Sequence, residues 1–179
     1  MADLPDTFFL GWSNFGGKLF SQTKNLLIRI IAIAKKSKGW VGAAEDDFFE
    51  RIQNFAKIKI ELISPLDENS FEIQKTKKVE GEKIFSKLHG DEFVIACERA
   101  GESLDSESFA RKLEKLRDDS RKIVFMIGGS NGLDSMILKK ADLQISFSQL
   151  TFPHDLFRVM LLEQIYRAFT ILGNRKYHK

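Results

Sequence analysis

Short apolar runs rich in β-branched residues alternate along this chain with longer amphipathic segments. The runs predict five buried strands, at residues 26–34, 58–63, 93–97, 123–127 and 143–147. The longer segments predict helices at residues 40–57, 70–88, 106–116, 133–140 and 156–172. This alternation is typical of an α/β domain with a mostly parallel sheet and helices on both faces. No repeat or linker divides residues 26–179, and we expect the third strand to end near Gly101.

The fourth predicted strand ends in the cluster Gly128-Gly129-Ser130-Asn131-Gly132, called the glycine loop below. Glycine allows positive φ and lets backbone N–H groups approach a ligand closely. The loop lacks the Gly-Lys-Ser/Thr ending of a phosphate-binding P-loop and the G-x-G-x-x-G spacing of a dinucleotide site. It therefore indicates either a ligand-binding loop of another kind or a tight strand-to-helix turn.

A second loop, residues 148–153, follows the fifth predicted strand and is called the proline loop below. Its residues are small and apolar enough to line a purine pocket, with backbone groups free to contact adenine. Pro153 restricts the backbone just before the last helix. Strand-to-helix loops of this kind form cofactor crevices in open parallel sheets, so the two loops together predict a cofactor site.

Three motifs in the last third of the chain carry a family resemblance: residues 127–133 (IGGSNGL), residues 146–154 (SFSQLTFPH) and the terminal Tyr177-His178. They resemble the ribosomal RNA large subunit methyltransferase H family of the SPOUT superfamily, over residues 26–179. The resemblance implies a C-terminal trefoil knot that binds S-adenosylmethionine. It also implies methylation of N3 of a pseudouridine in 23S rRNA, on the assembled ribosome, by a homodimer in which the second chain completes the pocket.

The resemblance also assigns residues to the cofactor site. The implied contacts are Cys97, Gly128, Gly129, Phe147, Ser148, Gln149, Leu150, Thr151 and Phe152. Two positions depart from the family pattern. Cys97 stands where the family usually has leucine, and a small apolar thiol should still fit against the cofactor. Ala34-Lys35 stands where relatives often have Gly-Lys, a change that concerns substrate contact more than cofactor binding.

Methylation of an imide nitrogen requires loss of its proton, which a nearby base or a cation would assist. His154 and Arg158 lie one helical turn apart at the start of the last helix and can point from the same end. With Tyr177 and His178 they are the candidate catalytic residues, and none of the four is assigned as the base. The residues alone leave other interpretations open: a capping or packing histidine, an arginine that pairs with Asp155 or holds a subunit contact through Glu163, and a frayed tail.

Composition narrows the class of protein. The net charge of +3 is too small to indicate nucleic-acid binding by itself, so RNA contact would depend on the basic segments 35–38 and 175–179.

The single cysteine, Cys97, excludes an internal disulfide and fits a reducing cytoplasm. We interpret it as a small buried hydrophobe rather than a nucleophile. With three scattered histidines it shows no metal-ligand spacing, and no stretch approaches the length of a membrane span.

The two ends of the chain carry further expectations. The last helix is apolar around most of its circumference, which predicts burial against the sheet on one side and against a second subunit on the other. Residues 1–25 contain several aromatic residues broken by glycines, and we interpret them as a poorly ordered extension or a misplaced start. Their aromatic side chains could instead pack on a neighbouring surface.

Two other functions are compatible with the same residues. One is a non-catalytic ribosome- or RNA-binding module that keeps the fold without turnover. The other is a SPOUT methyltransferase that acts on another RNA base or on tRNA. Binding of S-adenosylhomocysteine separates the first from an enzyme, and Tyr177-His178 argues against the second.

Overall fold

The computed structural model describes residues 26–66, 72–119 and 121–174. Strands and helices alternate through these ranges as the hydrophobic pattern predicts. The strands are β1 Leu27–Ile33, β2 Lys57–Ile63, β3 Glu92–Ser103, β4 Lys122–Ile127 and β5 Leu143–Ser146. The helices are α1 Gly39–Gln53, α2 Ile73–Phe85, α3 Ser106–Asp118, α4 Ser135–Lys140 and α5 His154–Leu172.

The strands form one sheet in the order β2-β1-β4-β3-β5, and every neighbouring pair is parallel. The predicted α/β architecture is thereby confirmed, while the trefoil knot stays a prediction. Because the strands are parallel, their carboxyl ends meet at one edge of the sheet. The glycine loop, the proline loop and the basic segment 35–38 all leave the sheet at this edge.

Both faces of the sheet are buried, which explains the nearly continuous apolar sequence of the strands. In β1, Ile28 and Ile30 pack in one cluster with residues of α1, α3 and α5. Ile31 and Ile33 pack in a second cluster with residues of α2 and α4. All four isoleucines are at most 1% exposed. The candidate site is therefore built on a rigid two-sided core.

The third strand is longer than its predicted range of 93–97. β3 runs from Glu92 to Ser103, two residues past the expected end near Gly101, with a shift in its pairing to β5 between Cys97 and Glu102. A Cβ atom at Gly101 would lie 2.7 Å from backbone atoms of Gln144 and Ile145. The missing side chain thus permits the close backbone approach that carries the strand past the irregularity.

The helices differ from prediction mainly at their ends. α1 ends at Gln53 rather than near residue 57, because a turn through Asn54 leads into β2. α4 begins at Ser135, where the Asp134 carboxylate accepts a hydrogen bond from Met136 N. α5 begins at His154, directly after Pro153.

A buried ionic cluster links side chains of β1, β2 and β3. Arg29 of β1 donates hydrogen bonds to Glu92 of β3 (2.5 Å) and to Glu61 of β2 (2.7 Å). The Glu92 side chain is fully buried, and that of Arg29 is 6% exposed. The cluster lies on the sheet face opposite to Ile28 and Ile30, where an unpaired charge would be costly.

Several expectations concern residues outside the described ranges: the interpretation of residues 1–25 and the roles of Tyr177 and His178. Within the ranges described, none of the helices combines the length and the apolar character that crossing a membrane requires.

Candidate active site

A cavity of about 420 Å³ opens at the carboxyl ends of β4 and β5, beside residues 97–99 in the middle of β3, and is called the glycine-loop cavity. The glycine loop forms one wall and the proline loop another. Its lining includes Cys97, Gly128, Gly129, Phe147, Ser148, Leu150, Thr151 and Phe152. Eight of the nine residues predicted to contact the cofactor thus surround one space.

The ninth predicted residue, Gln149, is exposed and does not line this cavity. Its side-chain amide donates a hydrogen bond to the backbone oxygen of Arg99 (3.3 Å). Gln149 therefore ties the proline loop to the segment that follows Cys97.

The glycine loop is a tight turn that leaves no room for a side chain at Gly128. Gly132 has a φ of +79°, and its N–H donates to the carbonyl oxygen of Gly129 (2.8 Å). A Cβ atom at Gly128 would lie 2.5 Å from the carbonyl carbon of Gly132. The interpretation as a tight turn is therefore confirmed, and the loop also lines a cavity, while its role in ligand binding stays a prediction.

Short polar contacts shape the proline loop. The Ser146 hydroxyl donates to the backbone oxygen of Ser148 (3.2 Å), and Leu150 N donates to the Ser148 hydroxyl (3.0 Å). Leu150 is 72% exposed although it borders the cavity. An apolar side chain held at the cavity mouth is available to pack on a flat apolar ligand.

Cys97 stands half-buried in the cavity wall. Loss of solvation raises the pKa of its thiol far above the ordinary value. The side chain therefore stays a neutral thiol at physiological pH, in agreement with its interpretation as a small hydrophobe rather than a nucleophile.

A second cavity, of about 910 Å³, lies beside the first and is called the basic-loop cavity. Lys35, Lys36 and Lys38 line it on one side, and Arg158 lines it from α5. Gly129, Ser130 and His154 line both cavities. His154 therefore stands at the boundary between the glycine-loop cavity and the basic-loop cavity.

Arg158 is completely buried, and among the described residues its ionic partner is Glu45 of α1. The pairing with Asp155 that the sequence suggested is not found, since the Asp155 carboxylate accepts from Leu156 N. The suggested subunit contact through Glu163 stays a prediction; within the chain, Glu163 pairs with Arg167. Arg158 and His154 are brought together as predicted, since both line the basic-loop cavity.

Sequence reasoning missed several residues of the site. Glu98 and Arg99 line the glycine-loop cavity and follow directly on Cys97, so their position beyond an apolar run could have indicated them. Glu45 lies 113 residues from Arg158, and nothing local predicts their pairing. In the part of the chain that the structure describes, no three His, Cys, Asp or Glu side chains group as a metal site would require.

Comparison of the sequence with known proteins identifies its family. Residues 26–178 match the sequence model of the family described as "Predicted SPOUT methyltransferase". The chain is 40% identical over 154 residues to ribosomal RNA large subunit methyltransferase H of Caldicellulosiruptor saccharolyticus, covering 86% of this chain and 100% of that protein. It is also 40% identical over 157 residues to the protein of that name from Clostridium botulinum, covering 85% and 99%.

A solved structure, a probable methylase family protein from Haemophilus influenzae, shares the fold at a TM-score of 0.52 and 18% identity, over 88% of this chain and 71% of that one. The glycine loop and the proline loop both lie inside the matched region. The chain therefore belongs to the SPOUT methyltransferase family, and within it to the ribosomal RNA large subunit methyltransferase H proteins.

Proposed function

We propose that this protein transfers a methyl group from S-adenosylmethionine to N3 of a pseudouridine in 23S rRNA. The observation that carries the proposal is the pair of adjoining cavities with His154 at their boundary. One has the size of a small-molecule site, and the other is lined by lysines and arginine, as an RNA site requires. A donor in the first and a nucleotide in the second would meet beside His154.

The residues of the glycine-loop cavity suit S-adenosylmethionine, the methyl donor of SPOUT methyltransferases. When bound, this cofactor supplies an electrophilic methyl group on a sulfonium. At its three glycines the backbone of the glycine loop carries no side chain, so its N–H and C=O groups are open to a polar ligand. Leu150 and Phe152 offer apolar surface for the adenine ring.

Methyl transfer depends largely on positioning, together with stabilisation of the negative charge left when the imide loses its proton. Arg158 provides a cation in the basic-loop cavity, and His154 lies one helical turn away. We assign both to the handling of the target nucleotide. Tyr177 and His178 join them on the basis of the family resemblance alone.

The proposed form of the enzyme is a homodimer. An apolar groove of about 450 Å³ runs between α1, α3 and α5, lined by Phe48, Phe109, Val159 and Met160 among others. Burial of this surface by a second copy agrees with the apolar circumference of α5. Sedimentation analysis would show a dimer, and a monomer at all concentrations would contradict this part of the proposal.

We further propose that the enzyme acts on the assembled ribosome, and hence in the cytoplasm. A chain with a net charge of only +3 has little basic surface for reading RNA sequence, so a folded ribosomal surface would supply the remaining recognition.

The test is methyl transfer to ribosomes from a strain that lacks the modification, followed by mass mapping of the 23S rRNA. Wild-type protein should modify one pseudouridine, and His154→Ala should slow the reaction. His89→Ala is the matched control, because His89 lies near the start of β3, at the opposite edge of the sheet. Ribosome binding without S-adenosylhomocysteine binding would identify a non-catalytic module, and methylation of another base would identify a different SPOUT activity.

A further inference from the structure

The guanidinium of Arg158 is held along one side only. Its Nε and Nη2 donate to the two carboxylate oxygens of Glu45, at 3.3 and 3.2 Å. Nη2 also donates to the Ser37 hydroxyl (2.5 Å) and to the backbone oxygen of Lys35 (3.3 Å). The Ser37 hydroxyl in turn donates to Glu45 (2.6 Å). A ring of contacts from α1 and the loop before it thus fixes the orientation of Arg158.

The remaining nitrogen, Nη1, is buried and has no hydrogen-bond partner among the described residues. A buried donor left unpaired is costly, and buried polar groups in native proteins are nearly always paired. Because Nε and Nη2 are occupied, only Nη1 of this guanidinium has donors to offer to a ligand in the basic-loop cavity, which Arg158 lines. The unpaired nitrogen therefore points to a missing acceptor.

We propose that Glu45, assisted by Ser37, is a positioning residue that presents Arg158 Nη1 to an oxygen of the bound RNA nucleotide. The proposal rests on the role assigned above to Arg158. The acceptor is an anionic or partly anionic oxygen, either of the target imide or of a neighbouring phosphate. Two charge-assisted contacts to one carboxylate hold a guanidinium more firmly than a single contact does, since its planar fork is pre-organised.

The same contacts connect RNA binding to the orientation of Arg158. Ser37 and Lys35 belong to the basic segment whose lysines line the cavity. A phosphate bound by these lysines would order the backbone that also contacts Nη2. Glu45 in addition places a negative charge beside Arg158, which lines the basic-loop cavity. This ion pair keeps the guanidinium in its position when a phosphate binds in the cavity.

A double-mutant cycle tests the proposal, using Glu45→Gln, Arg158→Met and the double variant with ribosomes as substrate. Arg158→Met should reduce kcat/KM about 100-fold, and Glu45→Gln about tenfold. In the Arg158→Met background, Glu45→Gln should change kcat/KM less than about twofold, because it acts through the arginine. A loss in kcat identifies an imide oxygen as the acceptor, and a rise in KM identifies a phosphate.

Two more variants keep the test valid if Glu45→Gln folds poorly. Ser37→Ala removes a single contact and should show the same dependence on Arg158 with a smaller effect. Asp47→Asn is the matched control on the same helix, since Asp47 pairs with Arg51 at the exposed surface. The affinity for S-adenosylhomocysteine should stay within about twofold of wild type in every variant. Nitrogen NMR of the Arg158 side chain should show restricted rotation that Glu45→Gln releases.

The outcomes separate the two hypotheses. Unchanged activity in Arg158→Met would refute the proposed role of Arg158, and with it this inference. A strong loss in Arg158→Met together with wild-type kinetics in Glu45→Gln and Ser37→Ala would overturn the positioning role alone. Losses that add fully in the double variant would also overturn it, because they would show that Glu45 does not act through Arg158.

Discussion

A single methyl group added at Gly128 tests whether the glycine loop shapes the cofactor site. The Cβ atom of Gly128→Ala would lie 2.5 Å from the carbonyl carbon of Gly132, 2.7 Å from Leu133 N and 2.8 Å from the carbonyl oxygen of Gly132. All three are backbone atoms, so the turn itself must open by about 0.9 Å to reach an ordinary contact of 3.4 Å. Overpacking of this kind costs about 1–3 kcal/mol.

If that cost falls on the ligand-bound form of the loop, the affinity for S-adenosylhomocysteine should drop about 5- to 150-fold. Calorimetric titration measures the affinity, and thermal unfolding shows whether the variant is folded. Gly129→Ala should do less harm, because the nearest atom to its Cβ is the carboxylate oxygen of Glu80, at 2.8 Å, at the end of a side chain. Gly90→Ala is the control, since nothing lies within 4 Å of its Cβ. Folded Gly128→Ala that binds as tightly as Gly90→Ala would refute the reasoning.

Three further predictions concern stability and reactivity. Arg29→Met leaves the fully buried Glu92 side chain without its cation and should lower the free energy of unfolding by about 3–5 kcal/mol in urea titrations. Burial alone would raise the pKa of Glu61, but the hydrogen bonds and positive charges of Arg29, Lys87 and Lys59 together hold that pKa below the ordinary 4.5. The difference in free energy of unfolding between wild type and Arg29→Met should therefore be complete above pH 4.5 and shrink as pH falls through the lowered pKa of Glu61. A difference that stays unchanged in acid would contradict the ion pair between Arg29 and Glu61. Because burial raises the pKa of Cys97, iodoacetamide should alkylate the native protein far more slowly at pH 7.5 than the urea-unfolded protein, and equal rates would show that the thiol is exposed.

The sequence by itself determined the alternation of elements and the two loops that border the glycine-loop cavity. A β-branched run such as residues 123–127 is a local signal, because its burial on both faces leaves no polar position in it. The glycine loop is local as well: a turn that excludes Cβ atoms requires glycine whatever surrounds it. The individual cofactor residues were implied by the family resemblance, and eight of those nine line one cavity.

Only the tertiary structure decided how the charged groups are paired. The sequence offered Asp155 as a partner of Arg158 because it is close along the helix, but the partner is Glu45, which α1 brings across 113 residues. The continuation of β3 past Gly101 likewise depends on the backbone of β5 packing against it. Hydrophobic periodicity indicates which face of a helix or strand is buried. A buried ion pair depends instead on which helices and strands pack against one another, and only the packing of the whole domain determines that.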